Sequence, residues 1–383
     1  MKIFPCTIDR LGLRPLLGDL PEGFFTEEFA QACEEVDAFI GECLHALLGE
    51  LGLFDFAGTF AELDFGQETA HGRALLRWLM ECASLYDLVE MHGSHIRVKV
   101  KPPIPELGAS FQRRLARVPG AAPALAVQKL AKEHFLTVLR GETTGEAALF
   151  SLKNLDLWFA YFSNNDVHYA TSNKLAALAL GQVVSSGAKI LELGGGAGSA
   201  AQAALSALSL AEKAPSRYVF TEPQPAFLRR GSKILRQQVP TTCQTEARGY
   251  DINLPPSTQG FAERDFDAIY AVNVLHLATD LFASLEFLKS LLKPGGALVL
   301  GELVRPTPVK PVHLELPFLL LGSYVKAGEK DGLRQRPGFL ALSQWEQAFQ
   351  KAGFAGMSLL PKELSACLEY YPGFYCAALV AWA

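Results

Sequence analysis

His276 closes a largely apolar run that begins at Ala268, and Glu302 closes another, Leu298-Val-Leu-Gly-Glu302, 26 residues further on. A lone histidine beside an apolar run is usually a satisfied structural residue. A carboxylate beside it changes that, because it fixes the imidazole tautomer and steadies the imidazolium formed when the ring takes a proton. Such a pair is the base and orienter of a hydrolase triad, but no nucleophile motif such as G-x-S-x-G accompanies it. The pair suits proton abstraction rather than acyl transfer to the protein.

A second constellation reads Glu192-Leu-Gly-Gly-Gly-Ala-Gly198. Glycines at 194, 196 and 198 let backbone approach a ligand and admit positive φ. A helix opening after Gly198 would aim its first amides at that ligand. Glu192 at this station disfavours an anionic pyrophosphate and suits a cationic or hydroxyl-rich ligand. Glu222 ends the next strand, 30 residues after Glu192, where a carboxylate can accept both hydroxyls of a ribose. The plainer reading of Glu222 is an exposed cap before the helix at Pro223. Asp251, in Gly-Tyr-Asp-Ile-Asn, is placed for an adenine amino group, with Ile252 against the ring; its plainer reading is a turn aspartate. S-adenosylmethionine has the sulfonium, amino group and ribose that this set asks for. A dinucleotide competes, because Gly196-Ala-Gly198-Ser-Ala-Ala201 fits the loose G-x-G-x-x-A pattern. Against it, Glu192 would face the pyrophosphate, and the turn follows a long helical region.

Alternating strands and helices must position these residues. The expected strands are 188–194, 217–222, a weak one at 243–251, 266–273, 297–303, 354–360 and 375–382, with helices at 199–213, 225–237, 280–292 and 343–352. That alternation predicts a mostly parallel sheet covered on both faces, with ligands at the carboxyl ends of the strands. Lys293-Pro-Gly-Gly296 reads as a helix stop and a turn. Residues 25–50, 71–90 and 110–140 carry helical periodicity, 120–125 reads as a loop, and His95–Pro103 reads as a strand. We therefore expect a mainly helical cap over 1–165, winged-helix-like near 70–100, and a catalytic domain over 166–383 with a lid at about 305–340.

Composition bounds the class. The 383 residues are 49% hydrophobic and 20% charged, with a net charge of −5, which predicts a packed core and argues against a nucleic-acid binder. Seven dispersed cysteines without C-x-x-C read as reduced, cytoplasmic thiols. The N-terminus lacks a signal-peptide core, and no run of 18 apolar residues predicts a membrane span. His92 and His95 form H-x-x-H on one strand edge, where they would face opposite sides, so no metal site is expected. Basic clusters at Arg113, Arg114 and Arg117 and at Arg229, Arg230, Lys233 and Arg236 read first as solvated helix faces. Either could dock an acidic partner.

Together the site residues resemble a class I S-adenosylmethionine-dependent methyltransferase, and more narrowly the C-methyltransferase domains of polyketide synthases. The likeness spans about residues 130–383. It rests on Val138-Leu-Arg-Gly-Glu142, Phe150, Tyr169 to Asn173, the glycine motif at 192–198, Tyr250-Asp-Ile252, Asn273-Val-Leu-His276 through Asp280, and Leu292-Lys-Pro-Gly-Gly296. The glycine motif is common to methyltransferases; Asn-Val-Leu-His with its later Glu is far more specific.

The resemblance implies a Rossmann-like α/β fold, with a mostly parallel seven-stranded sheet whose last strand is antiparallel. It implies His276 as general base, Glu302 as its partner, and Tyr169 and Asn273 at the cofactor. The product of the cofactor would be S-adenosylhomocysteine, with no metal needed. The acceptor would be a small molecule or a β-ketoacyl group on an acyl carrier protein, with Phe318 and Tyr324 lining an apolar acceptor tunnel. Two departures stand out: Leu277 follows the histidine where the family favours Ala-Thr, and the lid has no tryptophan. No carrier or ketosynthase segment accompanies the domain, which gives the expectation of a free-standing enzyme acting in trans, with a homodimer as its expected assembly. Two other functions stay open. An O-methyltransferase on a phenolic or hydroxylated natural product needs the same base. A non-catalytic cofactor-binding partner of a synthase would not need to keep the whole residue set.

Overall fold

The structure, a computed structural model, describes residues 14–21, 23–66, 69–370 and 375–383. Cys6 and the N-terminal stretch inspected for a leader lie outside the described residues. Three short strands come first in the chain: β1 (Ala57–Thr59), β2 (Val89–His92) and β3 (His95–Val98), paired antiparallel in the order β1-β3-β2. They sit among the helices Glu27–Glu50, Ala70–Leu85, Leu107–Arg117 and Ala122–Leu139.

The second half builds the large sheet from β4 (Lys189–Leu193), β5 (Arg217–Thr221), β6 (Gln244–Arg248), β7 (Phe266–Val272), β8 (Leu292–Arg305), β10 (Met357–Leu360) and β11 (Cys376–Trp382). Their order is β10-β11-β8-β7-β4-β5-β6, and a two-residue strand, β9 (Leu340–Ala341), pairs with the end of β8. Strands β4 to β8 are parallel to their neighbours, and β11 is antiparallel to both β8 and β10. This is the Rossmann-like sheet with an antiparallel last strand that the sequence predicts. The chain winds from β4 through β5 to β6 on one side and returns through β7 and β8 on the other, so the crevice opens at the end of β4. Strand β7 is nearly continuous in apolar residues, as a strand covered on both faces must be.

The apolar interior falls into two clusters. One lies around the large sheet. The other joins buried residues between Ala32 and Tyr161 to lid residues Leu316, Leu319, Leu320, Tyr324 and Phe339. Each fully buried Leu or Phe contributes about 1.5–3 kcal/mol, so the lid is fastened mainly to the N-terminal layer. Polar ties agree with this: a His71 ring nitrogen lies 2.7 Å from the Leu319 carbonyl oxygen, and Arg336 pairs with Glu81. Backbone approach at Gly145 is so close that a Cβ there would meet the Leu320 carbonyl oxygen at 1.9 Å.

Several local expectations are corrected. The helix expected over 71–90 ends at Leu85, and Val89–His92 is a strand. His92 and His95 are therefore the closing pair of a hairpin, directly opposite each other in register, and cross-strand partners share a face. The 120–125 loop is the start of the helix Ala122–Leu139. Pro123 fits its first turn, where no backbone N–H is required. Lys293 to Gly296 follows the end of a helix at Leu291 as expected, but it forms the irregular beginning of β8 rather than a separate turn.

Candidate functional site

A cavity of about 790 Å³ lies between the carboxyl ends of the large sheet, the N-terminal helices and the lid. Its floor is the glycine turn after β4. Gly194, Gly196 and Gly198 have φ of 55°, 55° and 93°, the left-handed region that glycine tolerates. A Cβ on Gly194 would meet Val274 at 2.6 Å, whereas at Gly196 only the Gly194 carbonyl oxygen lies nearby, at 3.9 Å. The chain is tight beneath the turn and open above it.

Glu222 stands one residue past the end of β5. One carboxylate oxygen accepts the Gly196 N–H at 3.0 Å and the other accepts the Gln224 N–H at 2.9 Å. Burial pushes its pKa up while these two amides pull it down. A carboxylate already occupying a glycine-turn amide excludes a pyrophosphate from that amide. Asp251 and Ile252 line the same part of the cavity. Asp251 Oδ1 accepts from the backbone and side-chain nitrogens of Asn253, at 2.9 and 3.1 Å.

Glu192 does not line the cavity, which corrects the sequence reading. It is still a paired residue of β4, opposite Phe220 and Tyr270, so it projects onto a sheet face instead of past the strand end. There it is fully buried and accepts the Tyr218 hydroxyl at 2.9 Å on Oε2, while Oε1 has no hydrogen-bond partner among the described residues. Burial pushes its pKa up to about 8, with Tyr218 and Ala201 opposing. Glu192 braces the turn from below.

His276 and Glu302 meet. His276 Nδ1 lies 2.7 Å from Glu302 Oε2, and both residues are buried. Glu302 Oε1 accepts the N–H groups of Val274 and Leu275 at 3.2 and 3.0 Å, which fixes the carboxylate. Glu302 is the first residue of β8 beyond its last pair with β7, Val272 with Gly301, and so reaches the crevice. His276 also lines the cavity, and Nε2 has no hydrogen-bond partner among the described residues. Asn273 turns the chain out of β7 at φ 55°. Its N–H donates to Gly301 O at 2.7 Å, and its Oδ1 accepts the Leu303 N–H at 3.3 Å. Burial pushes the Tyr169 phenol pKa up, and the nearby Asn273 side chain opposes this. Tyr169 sits in the first turn of the helix Val167–Val183, whose cap, Asp166, accepts the His168 and Tyr169 amides at 3.1 Å each.

The lid closes over the histidine. Phe339 packs its ring 4.5 Å from the His276 ring, with Tyr324 at 6.1 Å, and Phe318 stacks on Tyr324 at 5.9 Å. Phe318 and Tyr324 both line the cavity. The Tyr324 hydroxyl faces away into a buried network, donating to Glu315 at 2.8 Å, and Glu315 pairs with Arg305. Arg334 holds the backbone beneath the histidine, donating to the carbonyls of His276 and Ala278 at 2.6 Å each. Arg334, Phe339, Gln128, His168 and His313 were missed by sequence reasoning. None sits at a strand end, and only the polar residues in otherwise apolar helices, such as Gln128, carry a local signal.

These residues could hold S-adenosylmethionine. Glu222 keeps acceptor capacity on both oxygens, Asp251 Oδ2 has no partner among the described residues, Ile252 offers an apolar wall, and Gly196 leaves open space over the turn. Among the described residues, no group of three or more His, Cys, Asp or Glu is arranged to hold a metal ion. No helix among them is long and apolar enough to cross a membrane.

Comparison with known proteins agrees with this fold. Residues 191–298 match the methyltransferase domain family. A highly reducing polyketide synthase, PKS2 of Leptosphaeria maculans, is 33% identical over 175 residues, which is 45% of this chain and 6% of that protein. Lovastatin nonaketide synthase mokA of Monascus pilosus is 29% identical over 223 residues, 57% of this chain and 7% of that protein. The chain thus spans well under a tenth of the length of these relatives. Among solved structures, the carbon methyltransferase CurJ superposes with a TM-score of 0.77 at 20% identity, covering 98% of each chain. The trans-methyltransferase CalH, in complex with SAH, gives 0.66 at 21% identity, covering 94% of this chain and 93% of that one. At those identities the likeness is one of fold.

Proposed function

We propose that this chain, which carries a methyltransferase domain on the class I fold and resembles the C-methyltransferase domains of polyketide synthases, methylates the α-carbon of a β-ketoacyl thioester. The observation that carries the reading is the His276–Glu302 contact of 2.7 Å, with the second ring nitrogen unengaged at the cavity wall. When bound, S-adenosylmethionine supplies an electrophilic methyl group. Gly196, Glu222, Asp251 and Ile252 would hold it.

The work of the chain's own residues follows from their positions. His276 Nε2 takes the α-proton, which is acidic because the resulting enolate spreads over two carbonyl groups. Glu302 accepts a hydrogen bond from Nδ1–H and offsets the imidazolium charge, while the amides of Val274 and Leu275 keep the carboxylate from turning away. Phe339, Phe318 and Tyr324 keep water from the enolate. A positioned base of this kind contributes about 10²–10⁴-fold.

A carrier-bound acceptor is supported by charge on the helix Pro225–Gln238. Its buried side places Phe227 at the cavity, while Arg229, Lys233 and Arg236 are exposed and form no ion pair among the described residues. The other basic cluster is largely spoken for: Arg114 pairs with Glu35 and Glu42, and Arg117 with Glu35. An acidic carrier seated on the free cationic face would present its tethered chain beside the cavity.

The reading is tested by incubating the protein with S-adenosylmethionine and acetoacetyl-pantetheine thioester and locating the added methyl by mass spectrometry and NMR. A methyl on the α-carbon supports it. A methyl on an enol or hydroxyl oxygen, or no transfer to any thioester, would overturn it.

A further inference from the structure

The wall of the cavity built by the helix Ala122–Leu139, the start of the helix Val167–Val183 and the lid carries polar groups that the reaction does not use. Gln128 has no exposed surface, lines the cavity, and has no partner for either side-chain amide atom. Leaving a buried amide unpaired opposes folding, so such groups are normally satisfied. Ala124, one turn earlier, lines the same wall, and its N–H donates to Asp166 Oδ2 at 3.1 Å. That bond brings in the first turn of the helix Val167–Val183, where both ring nitrogens of His168 are buried without a hydrogen-bond partner. From the lid comes His313, also at the cavity, with Nε2 3.5 Å from Asp37 Oδ1. Burial holds the His313 imidazole below its ordinary pKa, and the Asp37 carboxylate accepts the Tyr86 hydroxyl as well.

We propose that Gln128, His168 and His313 form a subsite for a neutral hydrogen-bonding group of the acceptor, an amide, hydroxyl or keto oxygen remote from the carbon that receives the methyl. The identification of the ligand as the acceptor rests on the function proposed above. An apolar chain would leave the Gln128 amide unsatisfied. An anion would meet the flanking carboxylates of Asp37 and Asp166. A neutral donor or acceptor satisfies the amide without a charge to balance. Two sources have this chemistry: an amide of the thiol arm, or an oxygen further along the acyl chain.

The test is equilibrium binding by calorimetry to the protein saturated with S-adenosylhomocysteine, which does not depend on turnover. The probes are 3-oxohexanoyl pantetheine thioester, the S-propyl thioester of the same acid, and the 3,5-dioxohexanoyl counterpart of each. Gln128→Leu keeps the size of the side chain and removes its hydrogen bonds. We expect it to weaken binding by about three- to tenfold, the worth of one net hydrogen bond. Weakening confined to the pantetheine thioesters assigns the subsite to the thiol arm; weakening confined to the dioxo chains assigns it to the acyl chain. The midpoint of thermal unfolding should hold or rise, because an unsatisfied buried amide is gone. Unchanged affinity for all four probes, no binding of any of them by the native protein, or a fall in both thermal midpoint and S-adenosylhomocysteine affinity would overturn the subsite. Native binding without methyl transfer would instead overturn the proposed reaction and leave the subsite standing.

Discussion

Arg334 donates to the carbonyl oxygen of His276 at 2.6 Å, so the lid holds the backbone of the residue that would act as base. The same guanidinium reaches Ala278 O and is itself fixed by Asp331, at 2.9 Å from Nε. The position of the lid and the placement of the His276 backbone are therefore tied together by one side chain. Replacing Arg334 with Met should lower kcat by about ten- to a hundredfold, the scale of a small misplacement of a catalytic group. The affinity for S-adenosylhomocysteine should change little, because the glycine turn is untouched. Stopped-assay kinetics with calorimetry check the split. Loss of the buried pair also costs about 3–5 kcal/mol of stability, so Arg334→Lys, which keeps the charge, should recover stability more than rate.

Glu222 should govern cofactor affinity. It braces the glycine turn through the Gly196 amide and faces the cavity. Glu222→Ala removes charge-assisted hydrogen bonds worth about 1.5–3 kcal/mol each. Calorimetry should show S-adenosylhomocysteine binding weakened by at least about tenfold. Unchanged binding would show that the nucleoside lies elsewhere.

Glu192 should make stability fall with rising pH. Its pKa of about 8 in the folded protein exceeds the ordinary 4.5, so the unfolded chain releases this proton first. Its stabilising contribution is complete below about pH 4.5 and is lost progressively as pH rises toward 8. Glu192→Gln stays neutral throughout, so its thermal midpoint should decline less than the native one between pH 5 and 8. Parallel curves would place the ionisation elsewhere.

Charge reversal on the helix Pro225–Gln238 should separate carrier-bound from free acceptors. The double variant Arg229→Glu with Lys233→Glu should raise KM for an acidic carrier-bound β-ketoacyl substrate by about tenfold or more at low salt. It should leave KM for the pantetheine thioester unchanged, and the difference should shrink as salt screens the contact. Equal effects on both substrates would remove the docking role.

The parts of the site that were legible in the sequence lie at the carboxyl ends of strands: Glu222 and Asn273 one residue past β5 and β7, His276 four past β7, and Glu302 the first residue of β8 beyond its pairing with β7. Glu222, Asn273, His276 and Glu302 follow long apolar runs, and the parallel sheet brings such positions together without further information. Glu192 was misread for the same reason, because it lies within the last paired residues of β4, where alternation decides the direction. His92 and His95 were read on one strand, although the two residues between them make a hairpin turn. Arg334 was not legible, since its role depends on contacts with segments far away in the chain, and Gln128 shows in the sequence only as a polar residue in an otherwise apolar helix. The lid's attachment to the N-terminal layer, through Leu316, Leu319 and Phe339, has no periodic pattern to reveal it.

The most direct test of the account is His276→Ala, assayed with S-adenosylmethionine and acetoacetyl-pantetheine while S-adenosylhomocysteine binding is measured on the same preparation. The account predicts methyl transfer reduced by about 10²–10⁴-fold with a nearly unchanged dissociation constant. Transfer at the native rate, or a collapse of S-adenosylhomocysteine binding, would contradict it, because His276 would then be dispensable to the reaction or a support for the cofactor pocket.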